Sequence, residues 1–348
     1  MTEGEERREA DSPGSQPDAQ DAPREVAQTS EGGPEPAPGE AVESDQPQTV
    51  TSPEPPEAEH DLDGRPLLIF LTEVAGGRKL LRATRDRVSQ ASSIVVVAPQ
   101  NEPAAGQIVD TDELYDAARS RVDVTLALLQ EFGIEAVGDV MDPDPALALD
   151  DAIRAFEPGE VLLSALPQVR TGLARKDLIE AARARYQPEV GIIHIPVRIE
   201  DDSIRWDVTH TLVVATQTVN SPDLVQRLGE RAAERPQRYT IACPRSEQVS
   251  REQVCSDLAA TLASLYRDEI DATGQPMSPD PFNAVQNAIE HYRIDEILIS
   301  TLSGERSRWL EEDLIGRVRE ITEKPIEHVE SGGSAQPAAA PVEQPARA

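Results

Sequence analysis

Cysteine is nearly absent from this chain of 348 residues: only Cys243 and Cys255 occur. Two thiols in so long a chain do not make a disulfide framework, and each reads as a small apolar residue. Aromatic residues are equally sparse, at 3%, and a protein that stacks on bases needs more of them. Basic clusters are missing too, while the formal charge is -31. Without a basic face there is little counterion release to gain, so nucleic acid is not an expected partner. No apolar run approaches the ~18 residues of a membrane span, and Met1–Ala10 lacks the apolar core of a signal peptide. The expected compartment is the cytoplasm. The five histidines, His60, His194, His210, His291 and His328, show no metal-ligand spacing. Signatures of a nucleophile elbow, a Walker loop, a dinucleotide glycine fingerprint or a zinc protease are absent, so no catalytic residue and no metal is assigned.

The charge that is present is uneven. Residues 1–62 carry about 17 acids and 3 bases and no Phe, Trp or Tyr. Such a segment buries too little apolar surface to offset its chain entropy. It reads as a disordered acidic tail. Residues 331–348, rich in Ala and Pro, read as a second disordered tail.

Between the tails the chain repeats itself. Asp144–Ile193 falls without a gap on Asp280–Val329, 136 positions later. Asp144-Pro145 meets Asp280-Pro281. Glu160, Leu162, Ser164 and Leu166 meet Glu296, Leu298, Ser300 and Leu302, and Asp177-Leu178-Ile179 meets Asp313-Leu314-Ile315. Upstream, Gly138 meets Gly274, and Leu68–Thr72 meets Leu212–Thr216 at a slightly larger offset. Each copy alternates short continuous apolar runs with helix-period segments, the signature of parallel strands buried on both faces with helical crossovers. The reading is α/β: two tandem Rossmann-like doubly wound sandwiches, each with a five-stranded parallel sheet, over 63–200 and 207–330. Helices are expected near 77–90, 111–132, 145–156, 173–185, 221–235, 250–270, 281–292 and 306–322. The halves are expected to pack as an intramolecular pseudo-dimer.

Ligands of open α/β sheets bind beyond the carboxyl ends of the strands, at the switch in strand order. The loop after the fourth strand of the second repeat, Ser300-Thr301-Leu302-Ser303-Gly304-Glu305-Arg306-Ser307-Arg308, offers hydroxyls, a glycine and two arginines before a helix. Ser300, Thr301, Ser303, Gly304, Arg306, Ser307 and Arg308, with Thr216 after the first strand, form the candidate phosphate-binding set. An ordinary strand-to-helix loop, with Ser307 as cap and Trp309 packed, is the simpler alternative. The first repeat keeps Ser164 and Arg170 but little of the rest. Ser331-Gly332-Gly333-Ser334 has no strand–loop–helix context and is set aside.

Each repeat resembles the universal stress protein domain, a Rossmann-like member of the adenine-nucleotide alpha hydrolase superfamily. The resemblance rests on element order, on Gly138–Pro145 and Gly274–Pro281, and on Glu296–Thr301. Ser307–Leu310 is similar to a run in tandem actinobacterial versions. The resemblance implies a binding or regulatory protein of the stress response without turnover, whose ligand is ATP, another adenine nucleotide or another phosphorylated compound. Neither repeat carries the Gly-x2-Gly-x9-Gly-Ser/Thr pattern of ATP-binding members, and Thr72 and Thr216 stand near the place of their acidic residue. That implies a degenerate or differently specific site. Two alternatives stay open: a protein-interaction module with a vestigial site, and an adenylating or sulfur-transfer enzyme of a related class.

Overall fold

The fold follows from short, largely apolar runs, each too short for a helix, that recur in the same order through both repeats. A computed structural model describes residues 62–73, 77–101, 111–165, 168–171, 174–197, 208–246, 248–277, 279–303, 308–311 and 313–332. Both expected tails lie almost wholly outside these residues.

In the first repeat β1 (Leu67–Leu71), β2 (Ile94–Pro99) and β4 (Glu160–Ser164) are buried at every position, and β7 (Gly191–Ile195) nearly so. They pair in parallel with β3 (Val137–Met141), in the order β3-β2-β1-β4-β7. β3, at the edge, leaves Val137 exposed. Alternate residues serve opposite faces. Leu67, Ile69 and Leu71 pack under α1 (Arg78–Arg85) and α2 (Thr111–Glu131). Leu68 and Phe70 pack under α3 (Pro145–Phe156) and α4 (Leu178–Tyr186). The sandwich is doubly wound.

The second repeat does the same. β8 (Thr209–Val214), β9 (Gln237–Pro244), β10 (Asp271–Met277), β11 (Glu296–Leu302) and β12 (Ile326–Ser331) form a parallel sheet, β10-β9-β8-β11-β12. α5 (Pro222–Glu234) and α6 (Arg251–Arg267) cover one face, α7 (Pro281–His291) and α9 (Leu314–Ile321) the other.

The matching residues of the two repeats have structural causes. Asp144 accepts from the Ala146 and Leu147 amides, and Asp280 from the Phe282 amide, each with Pro in the first helical turn. A Cβ on Gly138 would strike Val122 and one on Gly274 would sit 2.7 Å from Leu258, so both glycines let a strand lie close beneath a helix. Glu160 and Glu296 open the fourth strands and receive Arg87, at 2.5 Å, and Arg231.

Two expected helices are corrected. The segment expected as helix from Leu173 begins instead as an antiparallel hairpin, β5 (Gln168–Thr171) with β6 (Ala174–Asp177). Asp177 accepts from the Ile179 and Glu180 amides, both at 3.0 Å, and so starts α4 rather than lying within it. The helix expected over 306–322 splits into α8 (Arg308–Glu311) and α9. Asp313 adopts φ 50° and caps Gly316, a left-handed residue that no helix interior tolerates. The Asp-Leu-Ile match is therefore a match of caps.

Helices α2 and α6 lie side by side in the same direction. Asp116 pairs with Arg251 at 3.0 Å, the Cys255 thiol lies 4.0 Å from the Ser120 carbonyl oxygen, and Glu131 pairs with Arg267 at 3.2 Å. The α1/α2 face of one sheet and the α5/α6 face of the other merge into one apolar cluster. Among the described residues no helix is long and apolar enough to cross a membrane.

Candidate functional site

In both sheets the chain steps outward from the central strand, then returns to its other side. The helices that follow β8 and β11 thus lie on opposite faces, and the loops between them part at the carboxyl ends of these strands. This places Thr216 and the segment after Ser300 at the switch point of the second sheet, and Thr72 and the segment after Ser164 at that of the first.

The second repeat presents a layer of hydroxyls there. Thr216 is buried and its Oγ1 donates to the Pro244 carbonyl oxygen at 2.7 Å. Thr218 donates to the Ser300 carbonyl oxygen at 3.2 Å, tying the loop after β8 to β11. Ser300 Oγ meets Ser331 Oγ at 3.1 Å, and Thr301 Oγ1 meets His328 Nε2 at 2.8 Å. Ser300 and Thr301 are thus buried and engaged with β12. Ser303 is exposed, its amide donating to the Ser331 carbonyl oxygen at 3.0 Å. Gly304, Arg306 and Ser307 lie outside the described residues. Arg308 is described by its backbone alone, as the first residue of α8. Trp309 packs against the outer core of this sheet. At four residues α8 is too short to build a useful dipole, so the anion-binding power of a long helix start is withdrawn from this loop.

Residues that sequence reasoning missed complete the layer. Thr218 holds the Ser300 carbonyl oxygen, Ser331 the Ser300 hydroxyl and His328 the Thr301 hydroxyl. Ser331 was set aside with the tail, yet it is the last residue of β12, buried and paired opposite Leu302. Next to it, the Gly332 amide donates to Asp223 at 2.9 Å. The missed signal was local: a serine two residues past Val329 continues the inward alternation of the strand.

The first repeat buries a cation where the second holds a carboxylate. Arg121, from the middle of α2, is 2% exposed. Its Nη2 donates to the Pro99 carbonyl oxygen at 2.7 Å and to Asn101 Oδ1 at 2.9 Å. Asn101 in turn donates to the Thr72 carbonyl oxygen at 2.9 Å. Burial lowers the guanidinium pKa to about 10, against the opposing pull of Glu73, so it stays charged at neutral pH. By the Gly138–Gly274 match, Asp257 stands in this place in the second repeat, bonded by Gln253 at 3.1 Å.

Both cysteines are free and buried. Burial raises the Cys243 thiol well above its ordinary value and pushes Cys255 up to about 12, which removes the thiolate that reactivity needs. Burial likewise lowers His210 to about 4. Its Nε2 lies 2.8 Å from Thr240 Oγ1. Among the described residues no group of three or more His, Cys, Asp or Glu could hold a metal ion.

No protein-family model matches the chain, and no curated protein matches it. Solved structures give weak likenesses. A universal stress protein from Archaeoglobus fulgidus DSM 4304 shares 13% identity over 76% of this chain and 98% of its own, with a TM-score of 0.28. A histidinol dehydrogenase from Elizabethkingia anophelis shares 11% over 78% and 54%, TM-score 0.20. A ketoreductase domain from the bacillaene assembly line shares 12% over 78% and 70%, TM-score 0.21. Likenesses of this size say nothing of activity. What the chain's own strand order establishes is its class: α/β, with two five-stranded parallel Rossmann-like sheets in tandem.

Proposed function

We propose that the chain is a non-catalytic binding or regulatory protein of the universal stress type, taking an adenine nucleotide or another phosphorylated ligand at the switch point of the second sheet. The observation that carries the reading is positional. β11 lies beside β8 and ends at Leu302, at the point where the strand order of the sheet reverses. In this reading Ser303, Gly304, Arg306, Ser307 and Arg308 meet the phosphates, while Thr216, Ser300 and Thr301 support the loop from beneath. The tandem repeats act as an intramolecular pseudo-dimer, and the setting is a cytoplasmic stress response.

Thermal unfolding of the full chain with ATP, ADP, AMP and cyclic nucleotides tests it. A ligand bound by the native state alone adds about 2.7 kcal/mol at a hundredfold excess over its dissociation constant. At least one of the nucleotides is expected to raise the midpoint, and Arg308→Ala to abolish the rise. A flat response to all of them rejects the reading.

A second reading draws on the engaged hydroxyls. Thr216, Thr218, Ser300 and Thr301 already have partners, as in a site given over to structure. The protein is then an interaction module, and the flat response is its expected result.

A further inference from the structure

A cleft of about 1050 Å³ opens at the amino-terminal end of the second sheet, away from that sheet's switch point. Small-molecule sites run to roughly 300–1,000 Å³, so its size fits one. One wall is α1 of the first repeat. The other is the foot of the second sheet with the end of α6.

Six cations line it: Arg78, Lys79, Arg82, Arg85, Arg238 and Arg267, against four carboxylates. In a chain of charge -31 this local excess of positive charge runs against the whole. Its origin in sequence is the run Arg78–Arg87, where Leu80, Leu81 and Thr84 turn inward. Arg78, Arg82 and Arg85, at i, i+4 and i+7, then share one face.

The cations come from two repeats and are held together. The Gly77 amide donates to the Tyr266 hydroxyl at 2.8 Å, and Arg78 donates to the Glu269 carbonyl oxygen. Phe132 gathers one guanidinium from each repeat, with Arg85 at 6.0 Å and Arg267 at 5.3 Å from its ring centre. Arg238 faces Asp271 at 4.0 Å, and Arg267 is taken by Glu131. Arg82 and Arg85 have no carboxylate partner among the described residues. Holding like charges together costs free energy that a bound anion offsets.

We propose that this cleft is an anion site between the repeats, taking a small molecule with at least two phosphate groups. Arginine forks suit phosphate oxygens better than a point charge does. Neighbours at i and i+4 on α1 stand about 6 Å apart at Cβ, a spacing that consecutive phosphates bridge. The site is separate from the switch point and from Arg308.

Inorganic tripolyphosphate, which carries neither base nor sugar, is the probe. Calorimetric titration of the full chain should show saturable binding that weakens steeply with salt. The double variant Arg82→Ala/Arg85→Ala removes two exposed side chains, so its circular dichroism should match the parent and its affinity should fall at least tenfold. Arg82→Ala alone, the milder change, should weaken binding in the same direction. Arg154→Ala, which removes an exposed arginine on the opposite face of the first sheet, should leave it unchanged. The absence of saturable binding, binding that survives the double variant, or binding lost equally in Arg154→Ala would overturn the assignment.

Discussion

At the scale of single residues, the repeat is most informative where it keeps an expensive group. Glu160 and Glu296 are matched acids at the foot of the fourth strand, and each is met by an arginine from the first crossover of its repeat. In the second repeat Arg231 serves two carboxylates, Glu296 and Glu327, and Arg227 reaches Glu327 at 2.6 Å. Burial acts to raise the Glu327 carboxyl, but the two arginines outweigh it and hold it below the ordinary range. Such a group contributes stability above its unfolded pKa and loses it as pH falls through the lower folded value. The network should therefore weaken in acid, below pH 4.5. Arg231 is 8% exposed, and Arg231→Ala removes the bridge between the two carboxylates while leaving Arg227 on Glu327 and Arg235 on Glu296. A loss of about 2 kcal/mol is expected, the scale of hydrogen bonds to charged groups, measured by urea unfolding at neutral pH. A loss no larger than that of an exposed pair would show that water already screens the network. The glutamate match was legible in the sequence. Its partner was not, because Arg87 and Arg231 lie far along the chain from the acids they meet.

At the scale of elements, strands were the easiest to read. The inner strands β1 and β2 are continuous apolar runs, as burial on both faces requires, whereas the edge strands β3 and β12 mix in polar residues and lie partly exposed. Helix ends proved harder. Asp177 and Asp313 sit beside apolar residues at helical spacing, so they pass for interior positions until their side chains are seen to accept backbone amides. Asp177 is followed three residues later by Glu180, a capping-box spacing that marks a start. The candidate site inherits this difficulty: its loop was expected to open a long helix, and it opens α8, one turn in length. The matched glycines offer the cleanest test at this scale. Gly274 lies beneath Leu258 and 3.2 Å from the Ile241 carbonyl oxygen, measured from where a Cβ would stand. Gly274→Ala should cost roughly 1–3 kcal/mol by overpacking, and Gly138→Ala a similar amount. Gly229→Ala, with open space around it, should cost nothing or stabilise α5. Chemical denaturation of the three variants checks the order, and an equal cost for all three would refute the close-approach explanation.

At the scale of the whole molecule, duplication was legible because the offset is constant over fifty residues. The way the copies meet was not, since packing between distant helices leaves no periodic trace. The structure sets α2 beside α6 with equivalent positions in contact, and it draws the cations of α1 toward the foot of the second sheet. Function divides the same way. The switch point follows from strand order, whereas the cleft between the repeats exists only once the two copies are assembled. Amide hydrogen exchange of the full chain with and without millimolar ATP tests the central claim most directly, because it reports where a ligand acts. The account predicts slower exchange in residues 215–221 and 300–310, with little change in the hairpin of the first repeat. Protection confined to other segments, or none at all, would contradict a nucleotide site at the switch point of the second sheet.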